Sequence, residues 1–356
     1  MATIEEVARH CGVSPMTVSR VINNKGYVSP KTRKLVMAAV KELNYRPNLI
    51  ARSLVTNKTS TIGVLMTRLE NPIYSLIVSA ITQEAVKIGY DIILSTSSDV
   101  NSSLKSANTL INKQIDALIV LPMEIRETAD VDPDDFEKST RGIGEFYQRF
   151  SDIAKELRQS NLPVVAIGAS GLDNIFYFVY EDYEAGAVMA VEYLADKGHK
   201  GIGFLHHVVT QTGIWGERYR GFFKGMEKTG CTVYPENMEK CLDTIESGYE
   251  AMNKLLDKCR NMTAVYCAND IIAAGAASAA LGRGLKIPDD ISIIGHDGSI
   301  YSEAVHPRLT TVSIEPYEIG RQAFNLAMGA LKEEREAEEI IIRPKILEGK
   351  SVRNIK

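Results

Sequence analysis

The stretch that most restricts what this chain can fold into is TIEEVARHCGVSPMTVSRVIN, Thr3 to Asn23. Thr3 followed by Glu6 is a capping box, so a helix starts there. Ile4, Val7, Ala8 and Cys11 recur at helical spacing and predict one buried face. Gly12 ends the helix, because glycine enters the left-handed conformation past a C-terminus without a Cβ penalty. Ser14 caps a second helix and Pro15 takes its first position, where a missing N–H costs nothing. Val18, Val21 and Ile22 give that helix its inner face and leave Met16, Thr17, Ser19, Arg20 and Asn23 outside. Two short helices joined by a glycine-containing turn predict a helix-turn-helix, with a second helix shaped to enter a major groove.

The next segments fit this frame. Ser29-Pro30 repeats the cap-plus-proline start, and Lys31 to Leu43 continues as a third helix. Asn44-Tyr45-Arg46-Pro47 breaks it, because Pro47 disfavours the helical region for Arg46. Asn48 to Val55 is helix-capable, yet Leu49, Ile50, Leu54 and Val55 have no core nearby. Charge separates this end from the rest. Residues 1–60 hold ten basic side chains against three acidic ones, whereas the remainder holds 31 basic and 42 acidic. A basic end on an acidic body is the footprint of a nucleic-acid-binding head on a domain of another kind.

TVSRVIN, VSPKTRKLVMAAVKELNYRPN and ARSL closely resemble the DNA-binding headpiece of the lactose/galactose repressor family of bacterial transcription regulators. The resemblance implies that Pro15, Met16 and Arg20 meet base edges. Arg20 can donate a bidentate pair to guanine, worth about 1–3 kcal/mol of discrimination, while Pro15 and Met16 offer only apolar contact. Thr3, Ser14, Thr17, Ser19 and Asn23 are placed for phosphates, which set register; Thr3 and Ser14 also cap helices. Asn48 to Val55 matches the family's hinge helix, too short to be stable alone and ordered on DNA. There Asn48 joins the DNA-binding residues, the small Ala51 allows close approach, and Leu54 wedges between base pairs in the minor groove. One head spans a half-site, so the partners implied are a palindromic double-stranded operator and a second copy of the chain in a homodimer.

From Thr61 the pattern changes. TIGVLM reads as a strand, then a helix runs from about Ile73 to Ile88, followed by the strand DIILSTSS, a helix from about Ser102 to Lys113 and the strand ALIVLP. Later come a helix at Ala185 to Asp196, the strand GIGFLHH, a helix at Glu217 to Gly230, and the strands AVYCAN and ISIIGHD. This alternation predicts parallel sheets with right-handed crossovers. The body resembles that of the same family, which shares its fold with periplasmic sugar-binding proteins. The expected fold class is thus α/β: an N-terminal all-α helix-turn-helix headpiece plus a two-lobed, periplasmic-binding-protein-like body with parallel sheets. The expected domains are residues 1–46 for DNA binding, 47–60 as hinge helix and linker, and 61–356 for effector binding and dimerisation. The N-lobe takes about 61–179 and 314–343, and the C-lobe about 180–313 and 344–356.

An effector would sit between the lobes at the carboxyl ends of strands, where open α/β sheets bind ligands. Arg218, in ERYRGF, matches a family arginine that binds effector hydroxyls, and Asp297, ending ISIIGHD, matches a family ligand carboxylate. Asn269 ends AVYCAN beside Asp270. Carboxylate, amide and guanidinium groups suit a small polyhydroxyl molecule such as a sugar or sugar derivative. Tyr74 and Trp215, the single tryptophan, could offer a flat face to a sugar ring or base. In the family such a ligand closes the lobes and changes the spacing of the heads. Two departures stand out. Gly168-Ala169 follows LPVVAIG where the family carries a polar pair, and residues 124–161 are longer than the usual connection. That insertion, with the acidic DVDPDDFEK, reads either as a lid on the cleft or as a solvated decoration.

Other classes are disfavoured. No acid/base pair or nucleophile constellation demands catalysis, so the chain does not read as an enzyme, and no cofactor is implied. GRGLKIP and GHKGIG lack the dinucleotide spacing, and His206-His207 has no carboxylate or cysteine at ligand spacing. Five cysteines without a CxxC pair, no apolar h-region at the N-terminus and no run long enough to span a bilayer place the chain in the cytoplasm. No apolar heptad follows RPKILEGKSVRNIK, so a dimer is expected rather than a tetramer. The rival readings are a regulator of the same fold controlled by a protein co-effector or a purine, and a non-regulatory sugar-binding protein.

Overall fold

The computed structural model describes residues 2–45, 58–66, 69, 71–97, 100–121, 162–168, 177–207, 213–259, 261–332 and 339–356. Asn48, Ala51 and Leu54, expected to form a hinge, the 124–161 insertion and Ala169 lie outside these. The chain divides into two compact units, Met1–Thr59 and Ser60–Lys356.

The first unit holds α1 (Ile4–Cys11), α2 (Pro15–Ile22) and α3 (Pro30–Glu42). The Thr3 hydroxyl accepts from the Glu6 N–H at 3.3 Å, and the Thr3 N–H donates to Glu6 Oε2 at 2.8 Å, completing the capping box. Gly12 takes φ +65° and its N–H closes onto the Ala8 and Arg9 carbonyls. Ser14 Oγ accepts from the Thr17 N–H at 3.2 Å, and Pro15 is the first helical residue. Val7, Val18 and Val36 are fully buried, and with Ala8, Cys11, Val21 and Ala39 they form the core of this unit.

The second unit has two six-stranded sheets. In the first, the order is β11 (Glu339–Ile342), β5 (Tyr177–Glu181), β4 (Val164–Ile167), β3 (Ala117–Val120), β1 (Thr61–Met66), β2 (Asp91–Thr96). All its pairings are parallel. In the second, the order is β12 (Lys345–Leu347), β10 (Thr310–Ser313), β9 (Ser292–Asp297), β8 (Ala264–Cys267), β6 (Ile202–His207), β7 (Met238–Cys241). Only β12 runs antiparallel there. The inner strands are apolar runs buried on both faces, as parallel sheets covered by helices require. Strand β2 instead mixes exposed and half-buried residues, as an edge strand does.

The helices of this unit are α4 (Pro72–Lys87), α5 (Val100–Asn112), α6 (Tyr183–Asp196), α7 (Gly213–Lys228), α8 (Ile245–Lys258), α9 (Asp270–Gly282), α10 (Ile300–Ala304) and α11 (Pro316–Ala330). The chain leaves the first sheet at Glu181 and enters the second lobe through α6. Helix α7 begins a turn earlier than its pattern indicates, because Gly213 and Gly216 dilute the apolar period. Its closeness to α6 rests on Gly221. A Cβ there would strike the Glu184 carbonyl oxygen and approach the Ala187 Cβ to 2.7 Å. Gly225 likewise faces Val191, whose Cβ would lie 2.7 Å away. This packing sets where the first turns of α7 sit between the sheets. Gly221→Ala is expected to cost about 1–3 kcal/mol by overpacking. Thermal unfolding would read this as a midpoint several degrees lower, and an unchanged midpoint would contradict the close α6–α7 approach.

Candidate functional site

The outer surface of α2 is the first candidate. Val18 and Val21 turn inward, and the same helix leaves Pro15, Met16 and Arg20 exposed, with Met16 at 64%. The Arg20 side chain passes the following turn, where a Cβ on Gly26 would lie 3.8 Å from its Cδ. Thr17 and Ser19 are half-buried, and Asn23 caps the helix end by donating to the Ser19 carbonyl at 2.9 Å and the Ser19 hydroxyl at 3.2 Å. The Ser14 and Thr17 hydroxyls lie 2.9 Å apart. The helix N-terminus thus presents the paired Ser14 and Thr17 hydroxyls, with the Thr17 N–H turned onto Ser14 Oγ. Tyr27, 88% exposed between α2 and α3, is an aromatic that the sequence pattern did not single out.

The second candidate lies between the two sheets. Arg218, on α7, is 3% exposed. Its Nη2 donates to Asp297 Oδ1 at 2.5 Å and its Nη1 donates to the Ala268 carbonyl at 2.6 Å. The guanidinium carbon lies 5.4 Å from the Trp215 ring centroid and 5.1 Å from that of Tyr183. Trp215 also stacks on His207 at 4.6 Å with an interplanar angle of 17°. Burial works against the charge on Arg218, but its pKa is still raised, chiefly by the Asp297 carboxylate, and the arginine stays protonated. Asp297 ends β9 with φ +106°, a conformation strained for any residue but glycine, and it aims its carboxylate at Arg218.

Asn269 is 1% exposed and caps α9: its Oδ1 accepts from the Ile272 N–H at 2.9 Å and its Nδ2 donates to Asp243 Oδ1 at 2.5 Å. Asp270 beside it is fully buried. Its oxygens accept from the Thr311 hydroxyl and the Ser299 N–H, both at 2.6 Å. Burial, with the Asp297 charge adding, pushes the Asp270 carboxyl up to about 8. Arg218, Asp297 and Trp215 are therefore brought together directly, with Asn269 adjoining through Ala268. Tyr74 sits apart at 4% exposure in the first turn of α4, in the apolar cluster that includes Tyr183 and Ile214. The sequence reading missed Asp243, Glu217, Tyr183, Glu181 and His296. Glu217 is 5% exposed and accepts from the Tyr180 hydroxyl at 2.6 Å, a bond from α7 to the first sheet. Glu181 could have been found, since it is a lone carboxylate at the carboxyl end of the run YFVYE.

Among the described residues, no group of three or more metal-binding side chains includes His206 or His207. His206 Nδ1 lies 2.9 Å from the His207 carbonyl oxygen, and burial lowers its pKa. No helix among the described residues is long and apolar enough to cross a membrane.

Residues 3–48 match the bacterial regulatory proteins of the lacI family, and residues 191–352 match the periplasmic binding protein-like domain. An HTH-type transcriptional repressor PurR from Pasteurella multocida (strain Pm70) is 34% identical over 357 residues, covering 99% of each chain. A protein of the same name from Histophilus somni (strain 129Pt) is 33% identical and covers 100% of each. Among solved structures, the lac repressor dimer bound to operator and the anti-inducer ONPF superposes with a TM-score of 0.79 at 25% identity, covering 99% of each chain. A headpiece of this type, a two-sheet body and full-length relatives lead to one conclusion: the chain belongs to the lacI family of bacterial regulatory proteins.

Proposed function

We propose that this chain is a transcriptional repressor that binds a palindromic operator as a homodimer and is controlled by a small molecule held between the lobes of its body. The observation that carries the DNA-binding half is the division of α2: Val18 and Val21 are buried, while Pro15, Met16 and Arg20 stand exposed on the helix's outer side. Arg20 reads a guanine; Pro15 and Met16 give apolar contact; Thr3, Ser14, Thr17, Ser19 and Asn23 fix register on phosphates. Residues 1–46 form the reading head, 47–60 the hinge with Asn48, Ala51 and Leu54, and 61–356 the sensing and dimerisation body. The role includes no catalytic step.

The effector half rests on the buried Arg218–Asp297 pair beside Trp215. Arg218 and Asp297 bind the effector's polar groups, Asn269 positions the neighbouring strand end, and Trp215 shapes the wall, while Tyr74 stays in the apolar core. A sugar or sugar derivative suits this chemistry, since its hydroxyls both donate and accept. A purine base is the second reading, favoured by the full-length relatives that carry the name PurR.

Selection of bound DNA from a random-sequence library at fixed moderate salt is expected to return a palindrome; no recovered motif, with or without added sugars and purines, would sink the specific-regulator reading. Arg20→Ala is expected to weaken binding to that palindrome by about 1–3 kcal/mol, roughly 5- to 150-fold, and to relax one base position. Equal loss on random DNA would make Arg20 a phosphate contact instead. In the body, Asp297→Asn is expected to lower affinity for whichever sugar or purine binds by tenfold or more, since a charged hydrogen bond is worth about 1.5–3 kcal/mol. Trp215 fluorescence titration measures this, with operator affinity in the absence of ligand retained.

A further inference from the structure

Behind the Arg218–Asp297 pair lie two titratable side chains that the proposed function does not use. Glu181 ends β5 in the first sheet, and His296 lies on β9 in the second. Both side chains have zero exposure, and Glu181 Oε1 stands 3.5 Å from His296 Nε2. Neither Glu181 oxygen nor His296 Nε2 makes a hydrogen bond among the described residues, and Arg218 Nε is also without one. The other imidazole nitrogen, Nδ1, lies 2.8 Å from the Tyr266 hydroxyl. Gly186 at the start of α6 makes the room, since a Cβ there would meet His296 Cε1 at 2.8 Å.

Two arrangements fit this geometry. Glu181 could be an ionised second counter-ion for Arg218, or a neutral acid facing a neutral imidazole. Arg218 spends Nη1 on Ala268 and Nη2 on Asp297, and donates nothing to Glu181. An ionised carboxylate with no donor, sealed from water, is the costlier of the two. We propose that Glu181 and His296 share one proton across the boundary between the lobes, and that as a neutral pair they act as positioning residues that leave Arg218 committed to Asp297. The Tyr266 hydroxyl selects the tautomer: when Nδ1–H donates to it, Nε2 is the acceptor for the Glu181 acid proton. The gap of 3.5 Å is longer than a hydrogen bond, so a lobe movement of under about 1 Å makes or unmakes the contact.

The groups facing the pair are Tyr266 on β8, Arg218 and Glu217 on α7, Asp297 on β9, and Asp182 and Tyr183 where α6 begins. Burial raises the Glu181 carboxyl well above the usual range; Arg218 opposes this, and Asp297, Glu217 and Asp182 add to it. Burial, then Arg218, lowers His296 well below the usual imidazole range. Both directions favour the neutral pair. An unfolded glutamate titrates near about 4.3 and an unfolded histidine near about 6.5. With its folded pKa raised, Glu181 contributes full stability below about pH 4.3 and loses it as pH rises toward the folded value. With its folded pKa depressed, His296 contributes full stability above about pH 6.5 and loses it as pH falls.

Thermal unfolding of the full chain between pH 5 and pH 8 tests this with no effector and no DNA, so its failure leaves the regulatory reading standing. Glu181→Gln keeps the shape and a donor for His296 but cannot ionise. Its midpoint is expected to exceed wild type by about 3 °C or more at pH 8, the difference shrinking toward pH 5. His296→Gln is expected to gain on wild type only toward pH 5. Glu181→Ala, which leaves Arg218 and His296 facing a hole, is expected to be less stable throughout. Trp215 emission gives the second readout. In a His207→Gln background it is expected to change with alkaline pH while Glu181 is retained and to stay constant when Glu181→Gln is added. An E181Q chain that is less stable at pH 8, equal to wild type at every pH, or unable to fold would overturn the shared proton and make Glu181 an ionised partner of Arg218 or a plain packing residue.

Discussion

A guanidinium at 3% exposure can persist only where charge and hydrogen bonds replace the water it has lost, and the body is arranged around that requirement at Arg218. Asp297 supplies the charge and the Ala268 carbonyl a second acceptor. Each partner comes from a different element: Asp297 from the end of β9, Ala268 from just beyond β8, and Arg218 from the second turn of α7. The site therefore exists only when three separate segments are in register. Removing one member leaves a buried charge unpaired, at a cost of about 3–5 kcal/mol. The strain of φ +106° at Asp297 is tolerated because this pairing holds it.

Around that pair the contacts run from one lobe to the other. Tyr180 and Glu181 on the first sheet reach Glu217 and His296 on the second lobe's elements, and Tyr183 lies under the Arg218 guanidinium. A ligand that engages Arg218 or Asp297 would act on groups already tied to both lobes. That is the physical basis for reading the body as a clamp: the ligand shifts an equilibrium by its differential affinity for two arrangements of the same contacts.

Where the sequence reports local physics it was legible. The capping box at Thr3 and Glu6, Gly12 at φ +65° and the Ser14-Pro15 start are decided within four residues, and the structure shows each of them. Strands such as ALIV and SIIGHD, buried along their whole length, announced parallel sheets. What did not show was set by long-range pairing. Strand β11 joins the first sheet beside β5 although some 160 residues separate them, and nothing in EIII names that partner. The partner of Asn269 likewise comes from Asp243, in a loop with no motif of its own. Arg218 and Asp297 were found through a family resemblance in their flanking residues, whereas Glu181 and His296 become a pair only when two sheets are brought together.

The central claim is that the cleft and the reading head are energetically coupled. The most direct measurement is the affinity of a binding sugar or purine for the full chain with and without its selected operator, followed by Trp215 fluorescence at one salt concentration. Linkage requires the two affinities to differ by the same factor by which the ligand changes operator affinity, typically about 5- to 150-fold. A ligand that binds between the lobes with the same affinity in both conditions would contradict the account and leave the body a binding domain without control over the head.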